Sequence, residues 1–149
     1  MNKFSKSLLA ASLAISAMSA NAQGTVGELL DGGAKKMTKD QLVAYIGGTK
    51  LKGPNRTNEI LMDIDLKADG SFSGNVNNPQ RRIASDTSGK WDVDDAGKTC
   101  MNGRLIAWNM AFNTCFFSYR LGDVTYRTLN DSEDRATTVG KGLDPTKAN

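Results

Sequence analysis

The chain has 149 residues, with 19 lysines and arginines against 16 acidic residues and no histidine. Without histidine, Ser-His-Asp and Cys-His nucleophiles and most first-row metal sites are excluded. The net charge of +3 is too slight for a nucleic-acid partner, since phosphate recognition needs clustered positive charge. Arg81-Arg82, the one adjacent arginine pair, reads as part of a solvated loop.

In chain order, Lys3 and Lys6 form a positive start, and Leu8 to Met18 an apolar run of 11 residues. Ala20-Asn21-Ala22 then places small residues at the −3 and −1 positions of a cut before Gln23. This is the pattern of a cleaved secretory signal. The run falls short of the roughly 20 apolar residues that span a bilayer. No later run is long enough either, so no transmembrane segment is expected. The cut is not followed by cysteine, so lipid attachment there is not expected. The chain is therefore expected to be exported, periplasmic or secreted. Without Lys3 and Lys6 the balance is 17 basic residues against 16 acidic. The expected organisation is a signal peptide at 1–22, an N-terminal arm at 23–37, a single β-rich domain at 38–142 and a flexible tail at 143–149.

Residues 23–35 carry Val26, Leu29 and Leu30 and end at Gly32-Gly33, which fits either a helical turn or an extended arm. Thr38 to Gln41 is a capping box opening a short helix, with Leu42 and Ile46 on one stripe and Gly47-Gly48 as its stop. Ile60, Met62, Ile64 and Leu66 then alternate with Leu61, Asp63, Asp65 and Lys67, a half-buried strand. Asp69-Gly70 turns the chain into a return strand through Phe72, Gly74 and Val76. Residues 77–89 are polar, contain Pro79, and read as a long loop. Trp91 and Val93 open another strand, Asp95-Ala96-Gly97 turns, and Thr99 to Gly103 runs back. Residues 104–114 fit a strand or a packed loop. Cys115, Phe117, Tyr119 and Leu121 alternate, Gly122-Asp123 turns, and Val124, Tyr126 and Thr128 return. Ala136 to Gly140 is a last strand. Short strands with turns about every ten residues predict a mainly β fold. The expected form is a small antiparallel barrel or strongly curved sheet preceded by the short helix.

Cys100 and Cys115 are the only cysteines. In an exported chain they are expected to pair. A redox pair would usually be spaced C-x-x-C, and a structural zinc needs about four ligands, which two cysteines without histidine do not supply.

Several segments together resemble a proteobacterial secreted family, domain of unknown function 995. They are Glu28 to Ala34 (ELLDGGA), Met37 to Leu42 (MTKDQL), Asp69 to Gly74 (DGSFSG), Ser88 to Cys100 (SGKWDVDDAGKTC), and Cys115 followed by Tyr119 to Asp123 (YRLGD). The resemblance implies a small calycin-like β domain and supports the disulfide. It implies no activity and brings no catalytic residues.

Asp92, Asp94, Asp95 and Gly97 invite comparison with a calcium loop, but position 5 is Ala96 and position 12 is Gly103. A hairpin turn fits better. Asp63 and Asp65 share a strand face at roughly 6.5–7 Å, a spacing open to paired-carboxylate hydrolysis and equally typical of any solvated sheet face. No catalytic residue, metal site or cofactor is expected. Phe116 is opposite in phase to Cys115, Phe117 and Tyr119, and Trp108 lies in the ambiguous stretch between the cysteines. Exposed, they would form a binding patch; otherwise Phe116 packs under the Thr38 helix and Trp108 fills a barrel end. The expectation is a non-enzymatic exported binding module taking a small apolar ligand or an envelope protein. The alternatives are a periplasmic inhibitor of a lysozyme or protease, inserting residues 23–36 or 77–89, and a carboxylate hydrolase.

Overall fold

The computed structural model describes residues 24–54, 60–142 and 145–147, so the expected signal peptide lies outside the described residues. Among them are two helices and ten strands. Helix α1 spans Val26–Asp31, strand β1 Lys35–Lys36, helix α2 Lys39–Ile46, and strands β2 Thr49–Pro54 and β3 Leu61–Leu66. Then come β4 Ser71–Asn78, β5 Ile83–Val93, β6 Lys98–Leu105, β7 Met110–Leu121, β8 Val124–Thr128, β9 Val139–Lys141 and β10 Thr146–Lys147. The strands form one antiparallel sheet in the order β10-β2-β3-β4-β5-β6-β7-β8-β9, with β1 beside β7. The sheet curls into a half-barrel, the strongly curved form of the expected fold. Its two ends in this order, β9 and β10, are joined by residues 142–145 alone. Lys141 and Thr146 therefore lie within roughly 18 Å, the reach of five extended steps.

Both helices start on capping boxes. In α2 the Gln41 N–H donates to Thr38 Oγ1 at 3.4 Å and the Thr38 N–H donates to Gln41 Oε1 at 3.0 Å. In α1, Thr25 and Glu28 repeat the exchange at 3.2 and 2.8 Å. Thr38→Ala is expected to lower the unfolding free energy by about 1 kcal/mol in urea titration, because it leaves a donor of the first turn without its partner.

Apolar side chains occupy both faces of the sheet. On the concave face Leu42 and Ile46 of α2 pack with Ile64, Leu66, Phe72, Val76, Trp91, Val93 and Leu105. The Trp91 indole N–H donates to the Lys67 carbonyl at 3.0 Å, so its one polar atom is satisfied. On the opposite face Phe117 and Tyr119 of β7 meet Val26, Leu29, Ala34 and Val139. Residues 24–37 are thus built into the body: Val26 is fully buried, and Arg135 grips Asp31 through two 2.8 Å contacts.

Two segments differ from the sequence expectation, and a third, open between strand and packed loop, is resolved. The polar stretch 77–89 is mostly strand: β4 runs to Asn78, a turn follows, and β5 begins at Ile83. Its inward positions are Ser85 and Thr87, buried with their hydroxyls bonded to backbone, so the stretch has no apolar alternation to read. Residues 104–114 resolve into the end of β6, a turn at 106–109 and the start of β7. Asn109 takes a φ of 49°, a left-handed conformation that asparagine tolerates, and its side chain bonds Arg104. Thr146 and Lys147, in the expected tail, pair with Lys50 and Thr49.

The strong curl has a local cause. Gly89 of β5 and Gly103 of β6 are directly paired, and Phe72 of β4 lies over them. A Cβ at either glycine would meet the tip of the Phe72 ring at 2.6 Å. At Gly89 it would also meet the Asn102 carbonyl oxygen at 2.1 Å. Missing side chains at two paired positions let a large ring settle onto the backbone and the sheet bend around it.

Candidate functional site

Strand alternation decides what faces the hollow of the half-barrel. From β2 comes Leu51, from β3 Met62 and Ile64, from β4 Val76 and from β5 Thr87. Strands β6 to β8 add Thr99, Met101 and Leu105; Phe112, Thr114, Phe116 and Ser118; and Thr125 and Arg127. These side chains line a cleft with two lobes. The narrow lobe, about 50 Å³, lies under Leu42, Tyr45 and Ile46 of α2. The wide lobe, about 210 Å³, lies toward Met62, Leu105, Trp108 and Phe112. Leu51, Met101, Phe116 and Arg127 line both. An apolar cavity of about 150 Å³ already holds a benzene ring, so the wide lobe has room for a ring or a folded alkyl chain.

The cysteines lie on the other face of the same strands. Cys100 and Cys115 stand opposite one another on β6 and β7 and form a disulfide. Their neighbours Thr99, Met101, Thr114 and Phe116 therefore project into the cleft. A slip of one residue between these strands would turn the pair on the shifted strand outward.

Trp108 and Phe116 do not form the exposed patch that was one expectation for them. Both are half-buried and both line the cleft. Phe116 faces α2 across the narrow lobe, and Trp108 turns back from the β6–β7 turn into the wide lobe. The physical reason is that β7 is covered on both sides. Phe117 and Tyr119 pack beneath α1, so the opposite phase, Phe112 to Ser118, lines the hollow, with Thr114 alone of the four exposed.

Sequence reasoning passed over Arg127. This side chain is half-buried, and its guanidinium lies 5.3 Å from the centre of the Phe116 ring. Among the described residues it has no carboxylate partner and no hydrogen bond. It is also the one charged side chain lining either lobe among them. Burial pushes the guanidinium below its ordinary value, the direction expected of a cation drawn out of water without a compensating charge. Three further buried polar atoms in the lining lack a partner among the described residues: Thr99 Oγ1, Thr125 Oγ1 and Trp108 Nε1. Buried polar groups are normally paired, and here all three flank the same cleft. The available signal was the residue pair Phe116-Phe117, apolar in both phases, which marks a strand buried on both faces. Extended across the hairpin, it places Thr125 and Arg127 beside Phe116 and Ser118.

The other constellations have ordinary structural roles. Asp63 and Asp65 stand on the outer face and pair across the strand with Lys52 at 3.4 Å and Lys50 at 3.1 Å. Asp94 accepts the Lys98 N–H at 2.8 Å within its turn, and Asp95 pairs with Lys39 at 2.7 Å. Of the two segments suggested for insertion into a hydrolase, residues 24–36 are packed against the body, and 77–89 is strand apart from the exposed turn at 79–82.

Fold and cleft define a disulfide-closed β half-barrel with an apolar interior site. Comparison of the chain with family models, curated proteins and solved structures finds no match.

Proposed function

We propose that this chain is an exported, non-enzymatic binding module that carries a small, largely apolar ligand inside the half-barrel. The observation that carries the reading is the two-lobed cleft, with its wide lobe of about 210 Å³ lined by Met62, Ile64, Val76, Leu105, Trp108 and Phe112. Concave apolar sites with a few placed polar groups are the usual form of small-ligand pockets. The N-terminal signal pattern supports export, and the disulfide suits an oxidising compartment. The likeness to the secreted family named above belongs to the same reading.

Protein purified from the periplasm is expected to begin at Gln23 and to carry a bound small molecule in native mass spectrometry. The neutral probe N-phenyl-1-naphthylamine is expected to brighten on entering the cleft. Trp108→Ala should weaken its binding by about fivefold or more, because an aromatic wall is lost. A clean apo monomer that leaves the probe dark would end this reading.

A further inference from the structure

Among the described residues, the cleft holds one cation and no counterion for it. The Arg127 guanidinium lies among Leu51, Met101 and Phe116. Stacking on Phe116 at 5.3 Å satisfies its face but none of its five N–H donors. Around the same narrow lobe stand two threonine hydroxyls, Thr99 Oγ1 and Thr125 Oγ1, both buried and both without a partner among the described residues. Thr125 and Arg127 project from one face of β8, separated by a single residue. The narrow lobe therefore offers two unpartnered hydroxyls, the Arg127 fork stands where the two lobes meet, and the wide lobe is mostly apolar, with Thr87 (its hydroxyl bonded to the Arg104 carbonyl), Thr114 and the Trp108 indole N–H as its other polar groups.

We infer that the ligand is an amphiphilic monocarboxylate whose carboxylate sits on the Arg127 fork beside Thr99 and Thr125 and whose apolar chain or ring fills the wide lobe. The inference rests on the reading of the cleft as a ligand site and narrows it to a ligand class. Guanidinium and carboxylate match as two parallel N–H···O bonds. Both threonine hydroxyls can donate to the remaining lone pairs of the carboxylate. A single positive charge balances a single negative one, so a phosphate dianion would bring an uncompensated charge into an apolar space. A neutral alcohol or hydrocarbon would leave the guanidinium as it is, desolvated and unmatched.

The test uses probes of one chain length and different heads: decanoate, decan-1-ol and decylamine, each displacing N-phenyl-1-naphthylamine from the wild-type protein. Decanoate is expected to bind at least about tenfold more tightly than decan-1-ol, the scale of a hydrogen bond to a charged group, and decylamine more weakly than either. Arg127→Gln is expected to erase the preference for decanoate over decan-1-ol, read as the ratio of their affinities in the same variant, and Arg127→Lys to restore part of it. Independently of any variant, decanoate labelled with carbon-13 at its carboxyl should titrate at lower pH when bound than when free. Equal binding of decanoate and decan-1-ol, with the probe still displaced, would overturn the inference and leave the cleft reading standing. Failure of all the ligands, the naphthylamine probe included, would overturn both.

Discussion

Phe72→Ala is expected to lower the unfolding free energy by about 3–5 kcal/mol, the usual cost of emptying a buried phenylalanine site. The ring is 2 % exposed. It touches the paired glycines Gly89 and Gly103 on one side and stands 6.1 Å from the Phe112 ring, tilted by 36°. Nothing nearby can collapse into the gap readily, because the neighbours beneath the ring are backbone rather than side chain. The cost should therefore lie high in the range, since it rises with the cavity that remains. Domains of this size are stable by only about 5–15 kcal/mol, so the variant should begin to unfold at far lower urea. Phe72→Leu, which keeps part of the ring's volume, should lose roughly 1–2 kcal/mol. Equilibrium urea unfolding followed by tryptophan fluorescence measures both, because Trp91 lies in the same cluster. A loss under about 1 kcal/mol for the alanine variant would show that the sheet relaxes into the space. The curl would then not depend on the ring and glycines together.

The paired substitution Cys100→Ser with Cys115→Ser is expected to cost about 3 kcal/mol, the loop-closure value for a crosslink of this span. Because the cysteines are 15 positions apart in sequence, the unfolded chain regains the freedom of a short loop. In the folded state β6 and β7 are held by a full ladder of pairs from Lys98–Phe117 to Leu105–Met110, so register survives without the bond. The loss should therefore appear as reduced stability with an unchanged fold. The urea dependence should steepen, because a less constrained unfolded chain exposes more surface. Probe binding by the folded variant should stay close to wild type. Loss of binding without loss of fold would mean that the disulfide sets the cleft's shape as well as its stability.

Much of the architecture could be read from local pattern. Thr38 and Gln41 announced α2, because a capping box is a contact between residues three apart and needs no tertiary context. Ile60 to Leu66 announced β3, because one face is covered and the other carries Asp63 and Asp65. Asp69-Gly70 announced its turn: Asp69 accepts both the Ser71 N–H at 2.9 Å and the Ser71 hydroxyl at 2.6 Å, and these bonds hold its carboxyl below the usual range. A carboxyl lowered in the folded state adds stability above its unfolded value, and that contribution fades as the pH falls through the folded one.

Other segments gave no such signal. In β5, Ser85 and Thr87 fill inward positions with bonded hydroxyls, so a strand looks like a polar loop. In β2 only Leu51 contributes an apolar side chain to the hollow, too little for an alternation to register.

The cysteine pair and the β class were thus settled by composition and periodicity, since both depend on neighbours close along the chain or on the mere presence of residue types. The site was not. Whether Phe116 points to solvent or to a cleft depends on α1 packing against the far side of β7, a contact with residues nearly a hundred positions away. Whether Arg127 is an ordinary surface cation or a buried one without a counterion depends on which strands curl around it. Burial belongs to the assembled sheet, and no stretch of chain carries that information by itself.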